Sequence, residues 1–429
     1  MIVGIRKEDK SQWERRTPLV PGDVKELIEK GLQFVVEPSP IRIFPDEEYE
    51  RAGARISQDL SGARVILGVK EIPPEKLLPE KVYMFFSHTI KGQPYNMPML
   101  KRLLELGDTL IDYEKITDER GRRLIFFGTF AGYAGAIDTL WALGKRLEEE
   151  GLKTPFSKIK QAYMYSSLEE AKEEISSVGR EIQEKGLDPE LLPLVIGIAG
   201  YGNVSRGAQE IIDLLPVEEV QPEDLGKLGK KNRVIYKAVF KEWHMVEPLE
   251  GAFDLQDYYH NPEKYRGVFS RYLPYLTVLI NAIYWDVRYP RLATRQDLEE
   301  LYQGKAKLKV IGDISCDIEG AVEATVKCTE PDEPVFLYDV EKQKAINAFS
   351  GKGPLILAVD ILPSELPRES SIYFSGVLKK FIPRVAEADY SLPYERLNLP
   401  PELKRAVIVH RGELTPDYRY LEKFIKGVE

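Results

Sequence analysis

Cysteine and histidine are both scarce in this sequence. Only Cys316 and Cys328 occur among 429 residues, which is too few for the disulfide framework of a small secreted domain and offers no CxxC spacing. The four histidines leave little material for a metal site, and none of them pairs at the HxxxH spacing of a zinc-binding helix. We therefore expect a chain without structural disulfides and without a bound metal.

Long apolar runs and an excess of positive charge are also missing. No apolar run approaches the roughly 18 residues of a membrane span, and the N-terminal stretch becomes charged at Arg6, too early for the apolar region of a signal peptide. Lys and Arg total 60 against 69 Asp and Glu, a net charge of −9. This balance argues against nucleic-acid binding. We expect a cytoplasmic protein that binds neither membranes nor nucleic acid.

What the sequence does contain is ample apolar material, arranged as alternating strands and helices. Apolar residues make up 43% of the chain, enough for the cores of two or three domains of about 150 residues each. Helices are predicted to open at Pro21, at about residue 98, near Ser167 and after the strand that ends at residue 199. Strands are predicted at 2–5, 32–36, 64–69, 82–86, 109–113, 194–199, 234–240, 276–283 and 308–311. This alternation is typical of an α/β fold with parallel sheets.

Two further sequence features indicate how the chain divides into domains. A long helix is predicted from about residue 136, and the tail from residue 367 is amphipathic and helical, so we expect it to pack back on the first region. We therefore predict two Rossmann-like doubly wound domains with a cleft between them. Residues 1–136 and 366–429 would form the substrate and catalytic domain, and residues 137–365 the dinucleotide-binding domain. The charged stretch 216–233 is predicted to leave the second sheet.

A glycine-rich turn follows the apolar strand at 194–199. Gly200 and Gly202 form a Gly-x-Gly turn that lets the backbone approach a pyrophosphate, and Ser205 stands where a third glycine or alanine is more usual. The motif alone also fits a tight turn without a ligand, but the strand before it and the helix after it favour a dinucleotide. Lys241 and Glu242 end the next strand with one charge of each sign, so the choice between NADPH and NADH stays open.

Polar side chains gather after the predicted strands of the first region. They are Lys70 and Glu71, His88 and Lys91, Asp112 and Glu114, joined by Arg16 ahead of the first helix. Each one alone also fits a solvated loop charge. A desolvated lysine can lose its proton near neutral pH and a histidine titrates there, so Lys70 and His88 together could pass protons to and from an amine and a carbonyl. The acids nearby would favour the charged lysine, and burial decides which effect dominates.

These residues belong to segments that resemble one known family along nearly the whole chain. The resemblance is to the lysine–2-oxoglutarate reductases, or lysine-forming saccharopine dehydrogenases, which share the alanine dehydrogenase fold, and it is strongest to the reductase half of the bifunctional aminoadipic semialdehyde synthase. The matching segments are Trp13-Glu14-Arg15-Arg16-Thr17-Pro18-Leu19, Gly68-Val69-Lys70-Glu71, Phe85-Phe86-Ser87-His88-Thr89-Ile90-Lys91, Asp112-Tyr113-Glu114, the 128–135 and 202–210 stretches, Ile280-Asn281-Ala282-Ile283-Tyr284-Trp285, Gly312-Asp313-Ile314-Ser315 and the 362–367 loop.

The resemblance implies an enzyme that condenses L-lysine with 2-oxoglutarate and reduces the imine with NADPH or NADH to give saccharopine. It implies that Lys70 is the base for the amine and His88 the acid and base for the carbonyl oxygen. Glu71 and Glu114 would tune that pair and receive the cationic substrate. The substrate carboxylates would meet Arg16, Lys91 and Arg123. The cofactor would lie against Gly200, Gly202, Val204 and Ser205, near Lys241 and Glu242, with Ile283, Tyr284 and Leu362 on its adenosine or nicotinamide side.

Two alternatives stay open beside this interpretation. One is a related opine or amino-acid dehydrogenase that takes another amine, such as ornithine, with the same cationic residues. The other is a nucleotide-sensing binding protein that kept the fold without turnover, although the presence of Lys70 and His88 argues against it. The partner is also open between a second copy of the chain and a separate saccharopine-consuming enzyme.

Overall fold

The computed structural model of the protein describes residues 1–426 and divides the chain into two compact units. Unit 1 comprises Met1–Phe127 and the chain from Pro367 onward, and unit 2 comprises Gly128–Leu366. The chain therefore leaves unit 1 once and returns to it once. The tail from Pro367 belongs to the first unit.

Helices and strands alternate along most of the chain. Residues 1–127 contain β1 (Ile2–Ile5), α1 (Pro21–Glu29), β2 (Gln33–Val36), α2 (Asp46–Arg51), β3 (Arg55–Ile56), β4 (Val65–Leu67), β5 (Val82–Phe85), α3 (Met97–Glu105) and β6 (Thr109–Asp112). Residues 128–366 contain α4 (Gly128–Glu149), α5 (Leu168–Lys185), β7 (Val195–Ala199), α6 (Asn203–Ile212), β8 (Val217–Glu219), β9 (Ile235–Phe240), α7 (Glu242–Met245), β10 (Val246–Pro248), α8 (Leu255–His260), β11 (Tyr265–Gly267), β12 (Val278–Asn281), α9 (Arg295–Leu301), β13 (Val310–Asp313), β14 (Val335–Asp339), β15 (Lys344–Ile346) and β16 (Leu355–Leu357). The returning chain contains α10 (Pro367–Leu378), α11 (Ile382–Glu387), α12 (Pro401–Lys404), β17 (Val407–His410), β18 (Glu413–Leu414) and α13 (Glu422–Ile425).

Unit 1 is built on an eight-stranded sheet in the order β18-β17-β6-β5-β4-β1-β2-β3. The run from β3 to β6 is parallel, and β17 and β18 extend it antiparallel at one edge. The strand order reverses direction at β1, which pairs with β2 on one side and β4 on the other. In such sheets ligands gather outside the carboxyl ends of the strands near this reversal, which is where Lys70 and the acids around it stand.

Unit 2 repeats this plan with its own eight-stranded sheet, in the order β15-β14-β16-β13-β12-β7-β9-β8. In this sheet order, the strands β16, β13, β12, β7, β9 and β8 are parallel. Beyond β16 the sheet is extended by β14 and β15, which pair antiparallel. Here the order reverses at β7, whose Ala199 is in register with Phe240 of β9 and Asn281 of β12. The register brings the ends of these three strands together at one edge. The two predicted Rossmann-like α/β units are confirmed, while the cleft stays a prediction.

The longest helix, α4, lies within unit 2 and packs closely on α6. A Cβ at Gly132 would lie 2.0 Å from the carbonyl oxygen of Val204, and one at Gly207 would lie 2.2 Å from that of Thr129. Only glycine permits this approach of the two backbones. The helix begins at Gly128 rather than near residue 136, because Gly132 sits inside it and is required there by packing rather than by a turn.

The next helix, α5, begins as its sequence predicted. The hydroxyl of Ser167 accepts a hydrogen bond from the Glu170 backbone N–H at 3.2 Å, so it caps the helix. Leu168, Ala171, Ile175, Val178 and Ile182 are buried along one face. The helical spacing of these apolar residues therefore identified the face that packs against the core.

One sequence prediction about unit 2 is wrong. The charged stretch 216–233 does not leave the sheet entirely, because β8 lies within it and pairs parallel with β9 at the sheet edge. Its two glutamates are exposed there, as is usual for a short charged edge strand. Within residues 1–426, no helix combines the length and apolar character needed to cross a membrane.

Candidate active site

A polar contact in unit 1 joins Glu71, after β4, to His88, after β5. The Oε1 atom of Glu71 lies 2.7 Å from Nδ1 of His88. Lys10 reaches both carboxylate oxygens at 3.1 Å, and the Asn96 amide lies 3.5 Å from Oε1. Burial opposes the charged form, yet the hydrogen bond and charge of His88, with the charge of Lys10, hold the pKa of Glu71 well below its usual range. Glu71 is therefore a fixed anion that orients the imidazole.

Two other contacts fix the orientation of His88. Its backbone is in the left-handed region, with φ of 48°, and its carbonyl oxygen accepts a hydrogen bond from the Asn96 side chain at 3.2 Å. Its ring lies nearly parallel to that of Phe86, with an interplanar angle of 13° and centroids 6.2 Å apart. Because Nδ1 faces Glu71 and the side chain is 30% exposed, the other ring nitrogen, Nε2, is the one left to exchange protons with a ligand.

Lys70 stands beside this pair in a mostly buried position. Within the described chain, its ammonium forms no hydrogen bond or ion pair. Burial, and after it the charge of Arg16, lowers the pKa of Lys70 below the usual value, while Glu14 and Glu71 pull in the opposite direction. Desolvation outweighs the neighbouring acids, which answers the question that the sequence left open. The lysine is therefore closer to its neutral form than an exposed lysine would be.

Arg16 lies in a fully buried ion pair that the sequence analysis missed. Its Nε and Nη2 atoms meet the two oxygens of Glu14 at 2.7 and 2.5 Å, and both side chains are nearly inaccessible. The guanidinium also lies over the ring of Phe127, 4.3 Å from its centroid. Glu14 occupies two donors that were expected to meet a substrate carboxylate, so that role for Arg16 stays a prediction. The glutamate stands two residues before the arginine, a spacing with no helical or strand signal to flag it.

Glu114 and Arg123, predicted separately, form an ion pair with one another. Arg123 is half exposed, so it can turn toward a ligand. Lys91 is exposed, and its backbone N–H donates to the Gln93 side chain at 3.1 Å. Both cations are thus far more exposed than Arg16, although Arg123 is held by Glu114.

Asp112 ties together the loops that carry these residues. It accepts hydrogen bonds from the backbone N–H groups of Ser87 at 3.1 Å and Glu114 at 2.7 Å, and from the Ser87 hydroxyl. Burial raises the pKa of Asp112 to about 6. Because one carboxylate holds the residue before His88 and the backbone of Glu114, the loops after β5 and β6 are positioned as one piece.

In unit 2, the glycine turn is shaped as a phosphate-binding turn requires. Gly200 has φ of +97°, and a Cβ there would lie 2.8 Å from the carbonyl oxygen of Ala282. At Gly202 a Cβ would meet nothing within 4 Å, so the space beside the turn is open. Helix α6 begins at Asn203 without a side-chain cap, which leaves its first N–H groups and the positive end of its dipole facing that space.

The two other predicted turn residues lie beneath this opening. Ser205 is fully buried, and its hydroxyl oxygen accepts a hydrogen bond from the Gln209 side chain at 3.0 Å. The carbonyl of Val204 faces Gly132 of α4. These residues therefore shape the turn from below rather than line its surface.

A cavity of about 420 Å³ opens next to the turn. Its lining consists of Gly200, Tyr201, Gly202, Glu242, Met245, Tyr258, Tyr259, Ala282, Ile283, Tyr284 and Tyr289. Glu242 accepts hydrogen bonds from the hydroxyls of Tyr259 at 2.6 Å and Tyr201 at 3.3 Å with Oε1, whereas its shielded Oε2 has no partner in the described chain. An unpartnered acceptor beside a phosphate-binding turn fits a ribose hydroxyl, so the residues present suit a dinucleotide.

The remaining predicted cofactor residues differ in placement. The Lys241 ammonium lies over the rings of Trp243 and Tyr201, 5.1 and 5.9 Å from their centroids, so it stands beside the cavity although it is absent from the lining. Tyr284 lies at the cavity mouth and is 72% exposed. Leu362 is buried, and a Cβ on Gly135 of α4 would lie 3.2 Å from it, so this leucine does not reach the cavity. Among residues 1–426, no group of three or more His, Cys, Asp or Glu side chains is placed to hold a metal ion.

Comparison with known proteins agrees with this architecture. Residues 4–134 match the family described as alanine dehydrogenase/PNT, N-terminal domain. An alpha-aminoadipic semialdehyde synthase of Arabidopsis thaliana is 41% identical over 448 residues, which cover 99% of this chain and 42% of the relative. A saccharopine dehydrogenase (NAD(+), L-lysine-forming) of Emericella nidulans is 28% identical over 394 residues, 88% of this chain and 90% of the relative. The solved structure of an L-alanine dehydrogenase has a TM-score of 0.65 at 17% identity, covering 99% of this chain and all of that one.

The fold is that of the alanine dehydrogenase/PNT proteins. More particularly, the chain is similar along most of its length to lysine-forming saccharopine dehydrogenases and to part of the alpha-aminoadipic semialdehyde synthases, which confirms the resemblance noted in its sequence. The chain spans less than half the length of the synthases that it matches.

Proposed function

We propose that the protein is a saccharopine-forming oxidoreductase that joins L-lysine to 2-oxoglutarate by reductive condensation. The observation that carries this proposal is the group formed by Lys70, Glu71 and His88, in which one amine is desolvated and one imidazole is oriented. Similarity to relatives that are named as lysine-forming saccharopine dehydrogenases supports it. Unit 1 would hold the two substrates, and unit 2 the dinucleotide.

Lys70 and His88 would divide the proton transfers of this reaction. The lysine substrate must lose a proton from its ε-ammonium before it can attack the keto carbon, and the depressed pKa of Lys70 suits a group that accepts it. The carbonyl oxygen must gain protons to leave as water, and His88 can supply them from Nε2 while Nδ1 stays on Glu71. The reverse reaction uses the same groups in the opposite protonation states.

Saccharopine carries three carboxylates, so several cations are needed around it. Arg123 and Lys91 are exposed and would meet carboxylates that arrive with substrate, Arg123 after leaving Glu114. Arg16 would join them through the part of its guanidinium that Glu14 does not cover. Glu71 and Glu114 would receive the cationic amine, which requires each to loosen its present partner, Lys10 or Arg123.

The dinucleotide would lie on the turn at Gly200 and Gly202, over Val204 and Ser205, with Ile283 and Tyr284 at the cavity wall. Bound there, NADH would supply the hydride that reduces the imine carbon. NADH is favoured over NADPH because Glu242 is the carboxylate that lines the cavity, and a carboxylate repels a 2′-phosphate. The Lys241 ammonium, which could attract that phosphate, lies over the rings of Trp243 and Tyr201.

A steady-state assay of the full chain tests the function. Oxidation of NADH and NADPH would be followed with 2-oxoglutarate and each of lysine, ornithine, alanine and ammonia, with mass spectrometry of the products. We expect turnover with lysine and NADH, and a product with the mass of saccharopine. Preference for ornithine would establish the related opine dehydrogenase instead. Dinucleotide binding without turnover would overturn the proposal in favour of a nucleotide-sensing protein.

Three other expectations remain part of this proposal. The products and substrates would be small molecules, namely lysine, 2-oxoglutarate and saccharopine. Either a second copy of the chain or a separate saccharopine-consuming enzyme would be its partner. The cytoplasmic location expected from the sequence stays a prediction.

A further inference from the structure

Glu8 is a buried carboxylate that grips the backbone beside Lys70. It follows β1, and Lys70 follows β4, the neighbouring parallel strand. Its Oε1 accepts the backbone N–H of Val69 at 2.7 Å, and its Oε2 accepts that of Lys70 at 3.0 Å. The side chain is 3% exposed. Two consecutive amides are thus held by the two oxygens of one carboxylate.

This two-point contact sets the direction in which the Lys70 side chain leaves the backbone. Strand β4 ends at Leu67, so the N–H groups of Val69 and Lys70 lie beyond its ladder and need another acceptor. Holding both amides fixes the intervening peptide plane, and with it the Cα–Cβ bond of Lys70. A reacting group displaced by about 1 Å can lose about 100-fold in rate.

Accepting these two amide hydrogen bonds stabilises the fold, but a carboxylate is a costly acceptor at this place. Burial, which outweighs the charge of Arg6, raises the pKa of Glu8 to about 7, and Glu14 adds to the effect. Arg6 lies 3.9 Å away, too far for a strong hydrogen bond, and its other fork nitrogen is engaged by Asp9. A buried charge without a close cation costs stability, so a residue kept here is better explained by what it positions.

We infer that Glu8 is a positioning residue, which aims the Lys70 amine by clamping the two amides that precede and include it. This inference rests on the role proposed for Lys70 as a base. Glu8 itself touches no substrate and exchanges no proton with one.

The test uses Glu8→Gln, whose amide can accept from only one N–H, and Glu8→Asp, whose shorter side chain retains the charge. Glu37→Gln is the matched control, since Glu37 follows β2 and accepts the Lys7 backbone N–H at 3.0 Å without touching residues 69 and 70. We expect Glu8→Gln to lower kcat by about 10–100-fold, with KM for lysine and 2-oxoglutarate within about twofold. Glu8→Asp should fall between it and the wild type, and the control should leave kcat unchanged.

A second readout needs no turnover. Reductive methylation of Lys70 at a series of pH values, read by peptide mass spectrometry, reports the pKa of its amine. Loss of the Glu8 charge alone would lower that pKa, whereas loss of position would raise it, because a released amine gains water. We expect a rise in Glu8→Gln. An unchanged or lower pKa, or a kcat equal to that of the control, would overturn the inference. If the wild type forms no saccharopine, the proposed function is wrong. The pKa of Lys70 from reductive methylation would still show whether Glu8 positions that side chain.

A separate observation concerns the two cysteines, which the fold brings together after β13 and before β14. The Sγ atoms of Cys316 and Cys328 lie 3.6 Å apart, and Cys328 is exposed. The thiol beside it lowers the pKa of Cys328, whereas the same neighbour and burial raise that of Cys316. Cys328 is therefore the sulfur that ionises first and that solvent reaches.

We propose that this pair is a reversible thiol–disulfide site for small-molecule disulfides. The Cys328 thiolate would attack one sulfur of the small disulfide and expel the other as a thiolate. The Cys316 sulfur, after losing its proton to solvent, would then attack the Cys328 sulfur and expel the second thiolate. Overall, two protein thiols become one protein disulfide, and one small disulfide becomes two small thiols.

The test treats the full chain with oxidised glutathione at about pH 8, followed by alkylation and peptide mapping. We expect a Cys316–Cys328 crosslink, two hydrogens lighter and reversed by dithiothreitol. In Cys316→Ser, Cys328 should accumulate as a glutathione adduct, and in Cys328→Ser the remaining cysteine should stay unmodified over the same period. A wild type that stops at the adduct, or that does not react, would overturn this proposal.

Discussion

The two units use one sheet plan for two kinds of strand end. In unit 1, the ends near the strand-order reversal carry buried charges, Glu8 and Glu14 with Arg16, and half-buried titratable groups, Lys70 and Glu71 with His88. In unit 2, the corresponding ends carry two glycines, an open helix N-terminus and tyrosines around one carboxylate. The same scaffold thus supports a cluster of groups that can hold and transfer protons in one unit, and a surface that a phosphate can approach in the other. The chemistry belongs to the strand ends rather than to the fold.

The largest effect should come from removing the proton-transferring groups of unit 1. We expect Lys70→Met and His88→Gln each to lower kcat for saccharopine formation by about 10²–10⁴-fold, the usual contribution of a positioned acid or base. Steady-state kinetics would measure it. Lys25→Met, on the exposed side of α1, is the control and should match the wild type. Near-normal kcat in either variant would contradict the proton-transfer role proposed for that residue.

A smaller effect is expected at the glycine turn of unit 2, where two alanine substitutions separate binding from strain. Gly202→Ala adds a Cβ in open space, so it should leave the melting temperature unchanged but weaken NADH binding about tenfold, because the methyl blocks the phosphate. Gly200→Ala forces a positive φ and a contact with Ala282, and should also lower the melting temperature, since such strain costs about 1–3 kcal/mol. Fluorescence titration and thermal melts distinguish them. If Gly202→Ala binds NADH normally, the phosphate does not lie on this turn.

Cofactor choice tests the single carboxylate of the unit 2 cavity. The wild type should prefer NADH, and Glu242→Gln should reduce that preference by about tenfold, since one charge repelling a 2′-phosphate is worth about 1.4 kcal/mol at such a site. The ratio of kcat/KM for the two cofactors measures it. Glu247→Gln, on β10 and ion-paired with Arg266, is the matched control. A wild type that prefers NADPH would contradict the role given to Glu242.

Stability, rather than activity or cofactor binding, should change at a pair of buried acids that unit 2 carries away from its strand ends. Asp138 of α4 and Glu365 are fully buried near each other, and burial raises the pKa of Asp138 to about 7. An acid whose pKa is raised by folding stabilises the fold below its unfolded pKa of about 4, and this contribution is lost as the pH rises toward 7. Asp138→Asn removes this titration and therefore the loss of stability at higher pH. Its amide oxygen can still accept the Ala162 N–H, which Asp138 accepts at 2.7 Å.

Relative to the wild type, Asp138→Asn should therefore gain about 2–3 kcal/mol between pH 5 and pH 8. Thermal or urea unfolding of both proteins at each pH would show it, with Glu173→Gln, exposed on α5, as a control that follows the wild type. A constant difference between Asp138→Asn and wild type across this range would mean that Asp138 titrates normally.

Local sequence patterns predicted the elements but not the long-range pairs. Helical spacing located α5 with its Ser167 cap, and the apolar run before Gly200 located β7, because such signals depend on neighbouring residues alone. The antiparallel β14 and β15 were missed, as was β8, since a short charged edge strand has no apolar alternation to mark it.

The candidate site shows the same contrast between local patterns, which the sequence reveals, and long-range contacts, which it does not. Lys70, Glu71 and His88 were identified because they follow predicted strands, and the structure brings Glu71 and His88 into contact. Glu8 and Glu14 were missed because their value depends on amides and a guanidinium that only the folded sheet brings to them. Leu362 was expected at the cofactor, but it packs against α4. The sequence alone does not distinguish a leucine buried in the core from one that contacts a cofactor.

The central claim is that unit 1 handles the protons of a reduction whose hydride comes from a dinucleotide held on unit 2. Its most direct test follows deuterium from NADH dideuterated at nicotinamide C4 into the product formed from lysine and 2-oxoglutarate. The wild type should give saccharopine carrying one deuterium for each NADH consumed. The Lys70→Met, His88→Gln double variant should bind NADH with unchanged Kd yet form that product at least about 100-fold more slowly. Unlabelled saccharopine from the wild type, or a wild-type rate in the double variant, would contradict the claim.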